Sequence, residues 1–333
     1  MDELDNFMVG KVLDGGWRVV EPRHVERDAT SANRTYVAKQ ADGRTAFVKV
    51  LDPRGQKSLE EQEVQLQQFR YESDILAKCG ERNMRRVVRA LSTGELQVEG
   101  TLTVTVRYLV FEWAESDVRS QTDLEQRVHL TTSLRWLRHM ATALMELHFS
   151  SITHQDVKPA NVLVMPNLSA KLGDLGHAYD HARPRPGGDG ESNPNCSPPE
   201  LLYGSHNRST EDRFAADMYA LGSLAVFLFT GVGLNAKMAH HMSPMHHWTS
   251  WRGSFEDALI HIRPYYDTAI AEFASQIDPR IRNEVVNAVR WLTDPEPKLR
   301  GHPTNRRGAG SQYHFERFVS LFNLLVTKSE RLD

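Results

Sequence analysis

The hydrophobic period of this chain changes once, near residue 113, and that change bounds its fold. Before it, residues 16–21, 34–39 and 45–51 are short runs rich in β-branched and aromatic side chains, separated by turn signals such as Asp42-Gly43. Residues 87–96 and 102–111 read the same way. One helix interrupts them. Ser58 followed by Glu61 is a capping-box pattern, and Leu66, Phe69, Leu76 and Cys79 then recur at helical spacing. After residue 113 the spacing becomes helical, with Leu134, Leu137, Ala141, Leu144 and His148 on one stripe. Strand-like pieces return only around residues 162–172, and a last helix is predicted over 313–327. A strand-rich first third and a helix-rich remainder predict an α+β fold in two lobes, and a cleft between lobes is a common place for a ligand.

Composition removes several classes. The chain has 333 residues, enough for roughly two units at about 150 residues each. Its 40% hydrophobic and 25% charged residues are globular values, so a disordered chain is excluded. Lys plus Arg is 40 against 43 for Asp plus Glu, a net charge of −3, which leaves no basic excess for a nucleic-acid partner. Two cysteines, Cys79 and Cys196, lack the spacing of a disulfide framework or thiolate zinc site. The first 16 residues do not read as a secretory signal, and a reducing, cytoplasmic setting is expected. Residues 218–236 form a 19-residue run without a charge, just long enough to cross a bilayer. Gly222, Gly231 and Gly233, with Ser223, Thr230 and Asn235, dilute it, and the expectation is a buried helix and no membrane partner. Histidine is abundant, with 15 residues. Four of them lie in residues 238–248 beside three Met, which raises a metal-binding alternative against an ordinary loop cluster.

The chemistry concentrates in residues 154–161, His-Gln-Asp-Val-Lys-Pro-Ala-Asn, and in Asp174, thirteen residues after Asn161 and followed by Leu175-Gly176. One carboxylate to orient and deprotonate a hydroxyl, a carboxamide and second carboxylate as hard oxygen ligands for Mg²⁺, and a Lys to offset phosphoryl charge together suit phosphoryl transfer. This set resembles the eukaryotic-type Ser/Thr protein kinase family, whose catalytic loop reads H-R-D-x-K-x-x-N and whose metal motif is D-F-G. Here Gln155 replaces the Arg and Leu175 the Phe.

The resemblance implies a two-lobed kinase fold filling the chain. Residues 1–112 would be a small antiparallel-sheet lobe with one helix, and 113–333 a larger helical lobe. Asp156 resembles the catalytic base and Lys158 the Lys that contacts the transferred phosphate. Asn161 and Asp174 resemble the Mg²⁺ ligands. Lys49 resembles the Lys that binds the α- and β-phosphates of ATP, and Glu72, on the inward helix stripe, its partner. Glu112 and Ala114 resemble the linker whose backbone reads adenine, with Phe111 behind the pocket. Leu163 matches the apolar residue beneath the base, and Asp117 is a candidate for the ribose hydroxyls. Glu200 and Arg300 resemble the pair that closes the activation segment, and Asp217 the Asp that holds the catalytic-loop backbone. The implied activity is transfer of the γ-phosphoryl group of Mg-ATP to Ser or Thr of a protein substrate.

The departures are specific. No glycine lies in the connection 27–33, where the family has a Gly-rich loop, so Thr30, Ser31 and Asn33 are the candidates to replace its amides. Phe47 stands where a small Ala normally faces adenine. Gln155 cannot pair with phosphate as a cation, so activity is expected not to require activation-loop phosphorylation. Residues 183–195 and 236–253 read as inserted surface loops. The alternatives are a pseudokinase scaffold, favoured by the missing glycines, and a small-molecule kinase of the aminoglycoside type, disfavoured by Lys158-Pro159, Glu200 and Arg300. Oligomeric state, substrate and activating signal leave no mark in the sequence.

Overall fold

The computed structural model describes residues 3–23, 33–52, 58–98, 104–122, 128–188, 193–204, 208–308 and 311–331. The chain separates into two compact units, Met1–Glu115 with Arg185–Gly188, and Ser116–Pro184 with Asp189–Asp333. The connection expected to replace the Gly-rich loop lies, apart from Asn33, outside the described residues.

The first unit is built on one antiparallel sheet. Its strands are β1 (Val12–Leu13), β2 (Trp17–Pro22), β3 (Asn33–Lys39), β4 (Thr45–Leu51), β5 (Ala90–Val98) and β6 (Val104–Glu112), in the order β1-β2-β3-β4-β6-β5. Gly15 and Gly16, both at positive φ, make the turn from β1 to β2. Side chains alternate across β4. Ala46, Val48 and Val50 join Tyr36, Val106, Tyr108 and Val110 in a buried cluster on one face, and Phe47 and Lys49 belong to the other. The helix α1 (Glu3–Met8) covers the first face with Leu4 and Met8, and Tyr36 donates to the buried Asp5 carboxylate at 3.0 Å. This helix is additional to the one helix expected in the unit. The expected one is α2 (Leu59–Glu81), opened by the Ser58/Glu61 capping box and burying Phe69, Leu76 and Cys79.

The second unit is helical. It contains β7 (Ser116–Asp117), α3 (Val118–Thr122), α4 (Leu130–Phe149), β8 (Ile152–Thr153), β9 (Val162–Val164), β10 (Ala170–Leu172), β11 (Tyr179–Asp180) and α5 (Pro199–Leu202). Then come α6 (Thr210–Thr230), α7 (Leu234–His241), α8 (Phe255–Ser275), α9 (Arg282–Thr293), α10 (Pro303–Arg306) and α11 (Glu316–Ser329). The uncharged run is divided between two helices. Helix α6 ends at Gly231 in the left-handed conformation, and α7 begins at Leu234. Helix α6 is long and apolar enough to cross a membrane, but 78% of its most apolar window is buried inside the unit. Gly222 lets α9 approach it, because a Cβ there would lie 2.2 Å from Thr293 and 2.8 Å from Leu292.

The segment 236–253 is not the plain loop expected. Most of α7 falls within it and buries Met238, and Pro244–His246 is a 3₁₀ turn. Its histidines stack and hydrogen-bond separately. His246 stacks on His261 at 4.2 Å and bonds Tyr265, His241 bonds Glu272, and His247 packs on Trp248. Among the described residues no group of three or more His, Cys, Asp or Glu is arranged to hold a metal ion.

Candidate active site

The catalytic loop is suspended from one buried carboxylate. Asp217, near the start of α6, accepts the backbone N–H groups of His154 and Gln155, each at 2.8 Å, and His148 Nε2 at 2.9 Å. Burial works to raise its pKa. The hydrogen bond and charge of His148, the charge of His154 and the Gln155 amide outweigh that and hold it below the ordinary value. His154, itself fully buried, bonds the Gly173 carbonyl at 3.0 Å and so ties the loop to the strand end that precedes Asp174.

Gln155 takes a left-handed conformation, φ 64°, costing about 1–3 kcal/mol for a non-glycine residue. Its carboxamide offsets this by donating to the Arg213 carbonyl at 2.9 Å and to Asp217 at 3.2 Å, and by accepting from Arg208. The loop then turns its next residues together. Lys158 Nζ lies 2.6 Å from Asp156 Oδ2, and Asn161 Nδ2 lies 2.9 Å from the same oxygen and 2.8 Å from the Asp156 carbonyl. A 3₁₀ turn started by Pro159 brings Asn161 back to Asp156. Burial pulls the Lys158 pKa down, but the Asp156 charge and hydrogen bond and the Asp174 charge reverse this and leave it raised.

Asp174 is also left-handed, φ 57°, at the head of a 3₁₀ turn over Leu175–His177. A Cβ on Gly173 would sit 2.8 Å from the end of the Leu163 side chain, which would have to shift to admit it. Leu163 is on β9, in register with Lys171 on one side and Asp117 of β7 on the other. The Asp117 carboxylate accepts the Ser120 N–H at 2.9 Å and the Ser120 hydroxyl at 2.8 Å. It therefore caps α3, a duty any ribose contact would share.

In the first unit, Lys49 Nζ reaches both oxygens of Glu72, at 2.9 and 2.8 Å. Both residues are buried, at 8% and 4% exposure, so each charge depends on the other. Lys49 is in register with Leu109 of β6, and Glu112, at the end of β6, with Ala46. The Glu112 N–H donates to the Arg89 carbonyl at 3.1 Å and its carboxylate accepts the Arg89 N–H at 2.8 Å. Ala114 follows in irregular chain. The predicted residues thus form two constellations, Lys49–Glu72 in one unit and Asp156–Lys158–Asn161 with Asp174 in the other.

Farther along, Glu200 and Arg300 form a bidentate pair at 2.6 and 2.7 Å. Fully buried Arg300 also donates to the carbonyls of Ala215, Asp294 and Pro295. A model of the protein kinase domain matches residues 31–305. The chain belongs to the protein kinase family.

Relatives agree with this family. Over 168 residues the chain is 29% identical to the "Serine/threonine-protein kinase par-4" of Caenorhabditis elegans, covering 49% of this chain and 26% of that protein. Over 183 residues it is 28% identical to an "Aurora kinase" of Yarrowia lipolytica, covering 54% of this chain and 42% of that kinase. Over 140 residues it is 27% identical to the "Serine/threonine-protein kinase fused" of Drosophila melanogaster, covering 42% and 16%. The matched region therefore spans less than half the length of each of these kinases.

Three groups support this kinase site without a local sequence pattern that marks them. His148 ends an apolar stripe in the sequence, and its bond to Asp217 joins positions 69 apart. Cys196 lies close enough to feel the charges of Asp156 and Lys158. Burial, then the Asp156 charge, push its thiol up to about 11 against the opposing pull of Lys158. Neither residue occurs in a local pattern that marks it. Asn235, inside the uncharged run, is a third case. It is buried and bonds the carbonyls of Pro194 and Ser197 at 2.7 and 2.8 Å, fixing the chain on both sides of Cys196.

Proposed function

We propose that the chain is a protein serine/threonine kinase that transfers the γ-phosphoryl group of Mg-ATP to a protein hydroxyl. The observation that carries this reading is the cluster in which Lys158 and Asn161 both bond Asp156 Oδ2, at 2.6 and 2.9 Å. It leaves the second carboxylate oxygen of Asp156 to the acceptor. Asp156 orients a Ser or Thr hydroxyl and receives its proton as that oxygen bonds the γ-phosphorus and the bond to ADP breaks. Lys158, held protonated by Asp156 and Asp174, offsets charge on the phosphoryl group in transit. Lys49, fixed by Glu72, positions the α- and β-phosphates. The Glu112–Ala114 backbone reads the base edge, Leu163 packs beneath it, and Asp117 is the ribose candidate.

The donor set fits Mg²⁺. Asn161 spends its NH₂ on Asp156, which directs its carbonyl oxygen elsewhere, and with the Asp174 carboxylate this offers two hard oxygens. Bound by these residues, Mg²⁺ supplies charge neutralisation at the β- and γ-phosphates. The choice of Ser/Thr rests on Lys158 and on the names of the relatives; the protein is expected to act in the cytoplasm.

Labelled ATP with a cell lysate as acceptor tests the reading. Asp156→Asn and Asp174→Ala are each expected to lower transfer at least about 10²-fold with thermal unfolding preserved. Unchanged transfer in Asp156→Asn overturns it.

A further inference from the structure

The face of the first unit's sheet that carries Lys49 also carries an aromatic surface. Phe47 lies two residues from Lys49 on β4, on the same side and about 7 Å along the strand. The cross-strand partners of Lys49 are Thr35 and Leu109, and those of Phe47 are Val37 and Phe111. Opposed residues share a face, so the Phe47 and Phe111 rings are neighbours, with centroids 6.3 Å apart and planes at 46°. Arg23 follows β2 and extends its pairing. Its N–H donates to the Thr35 carbonyl at 2.8 Å, and its own carbonyl accepts the Thr35 hydroxyl at 2.5 Å. Its guanidinium lies 4.7 Å from the Trp113 ring centroid and 5.8 Å from that of Phe47. Among the described residues these two rings are what the guanidinium packs on. A guanidinium already packed over two rings loses little further freedom when a flat ligand stacks beside it.

We propose that Arg23, Phe47 and Trp113 form the stacking surface for a purine base, with Arg23 as a nucleotide-specificity residue. This rests on the reading that Lys49 holds the phosphates. With the phosphate end at Lys49, the base lies toward Phe47, because the end of β6 at Glu112 lies beyond the Phe47–Phe111 pair and not beyond Lys49–Leu109. The bulky Phe47 changes how the base packs, from contact with a small side chain to stacking on a ring. No glycine occurs between residues 17 and 42, so close approach of backbone to phosphate is curtailed, and more of the recognition falls to the base. A two-ring purine covers this surface better than a pyrimidine.

Calorimetry with Mg-ATP, adenosine and UTP tests the proposal. Arg23→Ala and Phe47→Val, the latter keeping a β-favouring side chain, are each expected to weaken ATP and adenosine by the same factor, about tenfold. Arg23→Lys restores the charge but not the plane and is expected to stay weak, while UTP binds poorly throughout. Loss of ATP affinity with adenosine unchanged, or recovery in Arg23→Lys, makes Arg23 a phosphate ligand and overturns the proposal. Lys49→Ala separates the two readings, since it should weaken ATP and spare adenosine. If it does so while the Arg23 and Phe47 variants bind like the unaltered protein, only the stacking surface falls. If the unaltered protein takes neither ATP nor adenosine, the kinase reading falls with it.

Discussion

Lys49 and Glu72 show what a buried ion pair does for one residue at a time. Each is desolvated, and the Lys49 ammonium lies within 3 Å of both Glu72 carboxylate oxygens. Removing one partner takes from the other a counter-charge at hydrogen-bond distance in a buried setting, which costs more than the pair contributed. Glu72→Ala is therefore expected to destabilise the first unit by about 3–5 kcal/mol, read from denaturant unfolding. Glu72→Gln keeps the shape and one acceptor and should cost less. Equal stability of Glu72→Ala and the unaltered protein would show that Lys49 finds water or another anion instead. This pair was legible in the sequence because Glu72 sits on the stripe between Phe69 and Leu76, where a lone carboxylate has no reason to be. The Asp217–His148 bond was not legible, since a residue at the end of an apolar stripe looks like core whether or not it faces a carboxylate. Asp117 shows the converse. Its position makes it a candidate for the ribose by resemblance, and the structure adds a capping duty to Ser120 that spacing alone does not reveal.

At the scale of elements, strong periodicity was readable and short or mixed segments were not. The strands 17–22, 33–39 and 45–51 fall on runs rich in β-branched and aromatic residues, and the helices α2 and α4 on apolar stripes at helical spacing. Helix α1 has six residues, with Glu3 and Asp5 in its first turn, too short for a period to declare itself. Helix α7 is hidden because the uncharged run continues through its boundary with α6. The break is made by Gly231 in a left-handed cap and not by any change in hydrophobicity. Glycine has a second use in this run. Gly222 lets α6 and α9 touch, and its missing Cβ would meet Leu292 and Thr293 inside van der Waals distance. Thr293 cannot readily withdraw, since its hydroxyl bonds Val289 O at 2.7 Å and Tyr266 at 3.1 Å. Gly222→Val is expected to destabilise the second unit by about 3 kcal/mol or more through overpacking, outweighing the gain in helix propensity. A thermal melt checks this, and a melt no lower than that of the unaltered protein would mean that the helices slide apart without cost.

For the molecule as a whole, the internal pairings bear on how it is switched on. Kinases are commonly controlled by whether the Lys–Glu pair forms and whether the catalytic and activation segments are in place, with a phosphate on the activation loop supplying the missing contacts. In this chain those contacts are made by side chains alone. Lys49 and Glu72 are joined, Asp217 holds the catalytic loop, Glu200 is locked to Arg300, and Asn235 fixes the segment around Cys196. The position where an Arg would receive a phosphate is Gln155, and its carboxamide is already spent on Arg213, Asp217 and Arg208. The guanidinium of Arg213 lies 3.9 Å from the centre of the Tyr179 ring. Between Gly176 and Glu200 the only Ser or Thr hydroxyls are those of Ser192 and Ser197; Ser192 lies outside the described residues, and Ser197 is buried with its carbonyl bonded to Asn235. Phosphatase treatment and Ser192→Ala are each expected to leave the rate of phosphate transfer within about twofold, because no phosphate-dependent contact is needed to assemble either constellation. The rates of treated and untreated protein, measured at saturating ATP, decide it. A tenfold fall in either would mean that a phosphate does enter the segment, and the side-chain contacts would then be only the resting arrangement.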